Sequence, residues 1–163
     1  FGARTPFIRP ASLSGDGVQD YPVIEHAVNF LEKESNKKID YIALLRPTSP
    51  LRPPDLIEKA FDLIKNNELG TSVRSVVQTH QHAYRQWLLS GKRIVSPIDN
   101  KFETYNIPRQ NLPTSYFQSG DIEFIKRSTL YDNSVSGNYI LPLILEDKDL
   151  YDIDTYEDLN KKN

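Results

Sequence analysis

The stretch Tyr41-Ile42-Ala43-Leu44-Leu45-Arg46-Pro47-Thr48-Ser49-Pro50-Leu51-Arg52 decides how the rest of the chain is read. Residues 41–45 form an apolar run with no polar alternation. Such a run predicts a strand covered on both faces, as in a parallel sheet packed between helices. Pro47 and Pro50 then forbid further pairing and stiffen the exit loop. Pro53-Pro54-Asp55 opens a helix. In open α/β sheets ligands sit beyond the carboxyl ends of the strands. A stiff loop carrying Arg46, Thr48, Ser49 and Arg52 at that place has the makings of a ligand cradle, although the same letters also serve an ordinary proline-rich helix start.

Outward from this stretch the patterns alternate. Apolar residues at Val23, Ile24, Ala27, Val28, Phe30 and Leu31 predict a helix over 18–35, with Asp20 as its cap. Leu56, Ile57, Ala60, Phe61, Leu63 and Ile64 predict a second helix over 53–67, stopped near Gly70. Residues 71–78 are β-rich. Strand, helix and strand make a βαβ unit, whose crossover is right-handed. Residues 88–95 read as a hairpin turning at Ser90-Gly91. Residues 96–116 are rich in proline and asparagine, a length of irregular chain that points to function or an interface. Residues 117–125 read as a strand, with Gly120 where something approaches the backbone. A short helix over 128–131 and a last strand over 139–145 follow. Thr155 with Asp158 three residues on is a near capping box. In residues 1–17, Ser14-Gly15-Asp16-Gly17 is loop chemistry that could lie against a phosphate or sugar, or simply face solvent.

The 163 residues make one domain with enough chain for a real core. A net charge of -2 gives no nucleic-acid footprint and no polybasic membrane patch. With no cysteine, disulfides, thiolate nucleophiles and cysteine zinc sites are excluded. No run reaches the length of a membrane span and no signal peptide opens the chain, so a cytoplasmic protein is expected. The chain opens on Phe1 and contains no methionine, which predicts a processed or truncated product.

Three constellations could carry chemistry. Asp152 and Asp154 flank Ile153, and residues i and i+2 of an extended chain share a face. Two converging carboxylates repel unless a cation lies between them. The same spacing also suits a polar capping turn. Arg46, Arg52 and Arg109 are candidate clamps for carboxylate or phosphate, which guanidinium forks match bidentately. His80-Gln81-His82 lacks a third ligand and is a weak metal signal.

Taken together, these stretches resemble the acylneuraminate cytidylyltransferases, or CMP-sialic acid synthetases. The likeness runs through Phe7-Ile8-Arg9-Pro10 with Leu13 and Asp16, then residues 44–52, Pro108-Arg109-Gln110-Asn111-Leu112-Pro113, the Ser119-Gly120 strand, and Asp152-Ile153-Asp154-Thr155 with Glu157-Asp158-Leu159. The resemblance implies a Rossmann-like α/β nucleotidyltransferase sheet with helices on both faces. It implies that the anomeric hydroxyl of a 2-keto-3-deoxy, nonulosonic-type sugar acid attacks the α-phosphate of CTP and releases pyrophosphate. It assigns Asp152 and Asp154 to Mg²⁺ (or Mn²⁺) and to catalysis. Arg109 and Gln110 fall to the sugar acid, together with Arg46, Thr48, Ser49, Gly120 and position 123. Arg9 and Asp16 fall to the nucleotide. It also implies a homodimer, with residues 79–118 as the excursion that closes the partner's pocket.

The chain departs from the family at Arg46, where glutamine is commonest, and at Ser119-Gly120-Asp121-Ile122-Glu123, where Asn-Gly-Ala-Ile-Tyr is usual. Glu123 thus stands in place of a sugar-contacting tyrosine. The identity of the sugar is open at this point: Arg46 and Glu123 fit a differently decorated acid or an internal pair. The family's first βα unit, with its phosphate loop, has no counterpart here. The resemblance therefore implies that these residues alone hold the sugar and metal half and form no CMP-sugar. A non-catalytic dimerising module of the same fold and a nucleotidyltransferase for a different sugar are the alternatives.

Overall fold

The computed structural model describes residues 2–98, 103–146, 153 and 155–158. Its elements are α1 (Asp20–Ser35), β1 (Tyr41–Leu44), α2 (Leu56–Lys65), β2 (Ser72–Gln78), a small hairpin of β3 (Leu88–Ser90) and β4 (Arg93–Val95), β5 (Tyr116–Lys126) and β6 (Ile140–Leu145). Short 3-10 turns fill the connections. The main sheet has the order β1-β5-β2-β6, and β3-β4 stands apart. The chain divides into two compact units. The first holds Phe1–Leu44, Asp55–Arg74 and Ile122–Leu141; the second holds Leu45–Pro54, Ser75–Asp121 and Pro142–Asn163.

The α/β class holds, and the strand arrangement corrects the sequence reading. β1 is not part of a parallel pair, although helices do lie on both of its faces. It ends the strand order and pairs antiparallel with β5, Tyr41 opposite Lys126 and Leu44 opposite Glu123. β1 and β2 are joined through α2 as expected, but β5 lies between them. The long excursion after β2 gives the chain room to return antiparallel, which a direct βαβ neighbour would not.

In the first unit the alternation of strand side chains builds two layers. Ile42 and Leu44 of β1, with Ile125 of β5, pack against Ile24 and Val28 of α1 and against Leu130. Their neighbours Tyr41 and Phe124 point the other way and meet Phe61 of α2, with ring centroids 5.3 Å and 6.2 Å from it. Helices therefore cover both faces of this part of the sheet. Each fully buried aliphatic side chain contributes about 1.5–3 kcal/mol. α1 starts at Asp20, with Gln19 and not Asp20 in the cap position and no side-chain cap bond. α2 starts later than its prolines suggest, with Asp55 before it; two prolines hold the preceding residues extended.

Beyond β2 the first unit is tied by a hydroxyl knot. Thr71 and Ser72 hydroxyls both donate to the Ser136 carbonyl at 2.7 Å. Gly137 closes the turn at φ 67°, and a Cβ there would meet Thr71 at 2.6 Å. In the second unit the β3-β4 hairpin turns on Gly91-Lys92, since Ser90 is already paired with Arg93. Gly91 takes the positive φ of 63° that the turn needs.

Candidate functional site

The loop after β1 is built around Arg52. The Ser49 N–H donates to the Arg46 carbonyl at 3.3 Å and closes a turn. The Arg52 guanidinium then donates from Nε to the Asp121 carbonyl at 2.7 Å, and from a terminal nitrogen to the Arg46 carbonyl. Its fork is occupied by main-chain oxygens, so Arg52 holds the loop on β5 and is not a ligand clamp. The sequence grouped it with Arg46 and Arg109 because a spacing cannot show which arginine finds backbone carbonyls first.

Three pairs of sequence-predicted residues come together in the second unit. The Ile153 N–H donates to the Thr48 carbonyl at 2.8 Å. The Asp-Ile-Asp segment is thereby tied to the Arg-Pro-Thr-Ser-Pro loop by its central residue, although Asp152 and Asp154 themselves lie outside the described residues. Ser49 is 1% exposed, and its Oγ lies 3.9 Å from where a Cβ on Gly120 would be. Thr155 finds the expected partner, since Asp158 Oδ2 receives both its N–H and its hydroxyl at 2.8 Å.

The same unit holds buried oxygens in excess of their donors. Ser49 Oγ, Ser119 Oγ and Asp121 Oδ2 have no hydrogen-bond partner among the described residues. A buried polar group left in that state costs about 1–3 kcal/mol. Asp121 is a residue the sequence reading noted only as a departure and did not place in the site. The visible signal was a carboxylate where the family carries alanine.

Arg109 and Gln110 lie exposed on the 3-10 turn Arg109–Asn111, held out after Pro108. Arg109 lines a cleft of about 170 Å³ with Gln78, His80 and His82. The cleft's walls are laced together. Thr79 N–H donates to the Ser115 carbonyl at 2.9 Å. His82 Nδ1 accepts the Tyr84 N–H at 3.1 Å, so Nε2 carries the proton and donates to the Pro113 carbonyl at 3.0 Å. His82 is thus scaffolding for the Arg109 segment. Among the described residues the Arg109 guanidinium makes no hydrogen bond or ion pair.

The remaining candidates belong to the first unit. Arg9 and Asp16 are exposed on its irregular opening segment. Glu123 is buried, its side chain 3% exposed, and pairs with Arg74 at 3.0 Å. Arg74 also donates to Ser136 Oγ at 2.6 Å. Among the described residues no group of three or more His, Asp or Glu side chains is placed to hold a metal ion.

The chain matches no family model. It is 24% identical over 160 residues to the pseudaminic acid cytidylyltransferase of Campylobacter jejuni serotype O:2, covering 98% of this chain and 67% of that protein. It is 25% identical to the post-translational flagellin modification protein B of Campylobacter coli, covering 95% and 65%. It is 29% identical to the N-acylneuraminate cytidylyltransferase of Escherichia coli O18:K1:H7, covering 90% of this chain and 33% of that protein. The chain thus spans about two thirds of the Campylobacter proteins and a third of the Escherichia coli one. By sequence, the chain is similar over nearly its whole length to cytidylyltransferases of pseudaminic acid and N-acylneuraminate.

Proposed function

We propose that the chain carries the sugar-acid side of a Rossmann-like cytidylyltransferase that joins a 2-keto-3-deoxy, nonulosonic-type sugar acid to CMP. In that reaction the anomeric oxygen forms a bond to the α-phosphorus of CTP. The bond from that phosphorus to the bridging oxygen breaks, and pyrophosphate leaves. The observation that carries the reading is the Ile153 N–H on the Thr48 carbonyl at 2.8 Å. It joins the two most specific motifs of the family in one unit.

Each residue then has a task. Arg109 takes the sugar's carboxylate, its guanidinium making no hydrogen bond or ion pair among the described residues, and Gln110 binds beside it. Ser49, next to Gly120, supplies a buried hydroxyl. Thr48 presents its hydroxyl from the same loop, and Arg46 sets sugar preference there. Glu123, paired with Arg74, is assigned to the sugar acid as the family resemblance implies. Arg9 and Asp16 take the nucleotide. Asp152 and Asp154 are assigned to a hard cation such as Mg²⁺ or Mn²⁺, as the resemblance implies, since carboxylate oxygens are the donors such ions take. When bound, the ion would neutralise negative charge on the transferring phosphate. The protein works in the cytoplasm, and it functions as a homodimer through residues 79–118.

The test is binding of N-acetylneuraminic acid to the 163-residue chain by calorimetry. Arg109→Ala is expected to weaken it by about 10–100-fold, since charge-assisted bonds are worth about 1.5–3 kcal/mol. In a protein of the relatives' full length, CTP, Mg²⁺ and the sugar acid should yield CMP-sugar and pyrophosphate one for one. Sugar binding that ignores Arg109, or nucleotide-dependent transfer of the sugar to an acceptor without pyrophosphate, would refute the reading.

A further inference from the structure

We propose that the first unit carries an anion site of its own, apart from the residues assigned to the sugar acid and the nucleotide, and that it takes a phosphate monoester borne on a flat ring. The site is a hollow of about 440 Å³, within the range of small-molecule pockets. All the residues that line it belong to the first unit. They come from the start of β1 and the end of β5, whereas the Arg-Pro-Thr-Ser-Pro loop follows the end of β1. None of them lies in the motifs that carry the family resemblance.

The walls hold an excess of positive charge. Lys38, Lys126 and Arg127 line the hollow with one carboxylate, Asp40. Arg127 is offset by Glu32, which it meets at 3.2 Å. Its backbone N–H also ties it to the Asp40 carbonyl at 2.8 Å, so the two walls are joined. The Lys126 ammonium is fixed differently. It donates to the Asn67 and Glu68 carbonyls, both at 3.2 Å, which leaves one of its three donors over. Carbonyls hold that charge without neutralising it, and among the described residues Lys126 meets no carboxylate. The exposed Lys38 side chain makes no hydrogen bond or ion pair among the described residues. With Glu32 and Asp40 set against the three cations, one positive charge remains. A phosphate monoester brings about 1.5–2 negative charges at neutral pH, and lysine binds phosphate as a point charge without a fixed orientation.

The flat partner is Tyr131. The Arg127 guanidinium lies over its ring, 4.8 Å from the centroid, and the residue is 69% exposed. A tyrosine backed by a guanidinium and open to solvent is a stacking platform for a planar ring. Tyr41 lines the same hollow but is taken up by Phe61 and Phe124, with ring centroids 5.3 and 5.7 Å away. The exposed Ser128 adds a hydroxyl beside them. A ligand with a phosphate at one end and a ring at the other, of mononucleotide size, matches this division of the walls.

The experiment titrates the 163-residue chain with adenosine 5′-phosphate, inorganic phosphate and adenosine, read by calorimetry and by NMR of the tyrosine ring protons. A purine keeps the probe away from cytosine recognition. Adenosine 5′-phosphate should bind about 10-fold or more tighter than either part alone, the scale of one stacked base and of one charge-assisted contact. Lys38→Ala should weaken the nucleotide and inorganic phosphate alike, by about 3-fold or more. Tyr131→Ala should weaken the nucleotide by about 5-fold or more and leave inorganic phosphate unchanged. Both side chains are exposed, so thermal unfolding of the two variants should match the parent's. Arg9→Ala and Arg109→Ala should leave nucleotide binding as it is. Absence of saturable nucleotide binding, or binding that ignores Lys38→Ala, overturns the site. Nucleotide no tighter than inorganic phosphate, or indifferent to Tyr131→Ala, overturns the ring-bearing ligand. Binding lost in Arg9→Ala or Arg109→Ala places the probe elsewhere and overturns the inference as a whole.

Discussion

At Gly120 the chain sits at φ +80° in the middle of the longest strand. The sequence suggested that a neighbour crowds the backbone there. The nearest atom to a Cβ at this position would instead be Ser49 Oγ, at an ordinary 3.9 Å. What excludes a side chain is the left-handed backbone, which costs an L-residue about 1–2 kcal/mol. Gly120→Ala should lower the unfolding free energy by about that amount in a urea titration, and Gly120→Asn by less, because asparagine tolerates this region better. An alanine variant as stable as the parent would show that the strand can flatten. The same scale explains the arginines. Arg46, Arg52 and Arg109 are alike as letters, yet Arg52 is spent on the carbonyls of Arg46 and Asp121.

The end of α1 shows an element joined to its neighbours by one carboxylate. Glu32 accepts the Ile39 N–H at 3.1 Å and receives Arg127 on both oxygens, at 3.2 and 3.3 Å. The Arg127 hydrogen bonds, then the Ile39 N–H, hold its carboxyl below the usual carboxylate range. A group whose folded value is lowered stabilises fully above its unfolded value, and loses that contribution as pH falls through the folded one. The stability gap between the parent and Glu32→Gln should therefore be widest near neutral pH. It should close as pH drops through the ordinary carboxylate range (about 4.3 for glutamate) and below it. Thermal unfolding across that range reads it, and a gap that widens in acid would contradict the assignment. Elements were legible in the sequence where local pattern decides them. The periodicity of α1 and the Thr155–Asp158 pair were both visible as letters. The pairing of β1 was not, because its partner β5 lies more than seventy residues on and a run of apolar letters does not say on which side a strand is covered. The predicted cap at Asp20 failed for a smaller reason, since the cap position is one residue earlier.

For the molecule as a whole, motifs spread along the chain were legible as a family, and the structure adds which of them share a unit. Thr48 and Ile153 meet though more than a hundred residues apart, while Glu123 pairs with Arg74 within the first unit. Nothing in the letters distinguishes a carboxylate facing a ligand from one facing an arginine about fifty residues earlier. The second unit also keeps large apolar side chains in solvent on residues 79–118. Leu89 is 85% exposed at the hairpin, beside the exposed Leu88 and Ile94, and Trp87 rests on Tyr105 with ring centroids 4.7 Å apart. A two-stranded ribbon is marginal alone and gains from packing its apolar face. In the proposed homodimer a second copy of this chain would cover that face. Analytical ultracentrifugation at tens of micromolar protein should show a dimer. Leu89→Asp places a charge in the centre of that face and should raise the dissociation constant by about 30-fold or more, the scale of a central interface residue. Its thermal unfolding as a monomer should stay close to the parent's, because Leu89 buries little in the isolated chain. A parent that sediments as a monomer, or a Leu89→Asp variant that dimerises as tightly, would move the interface off this hairpin.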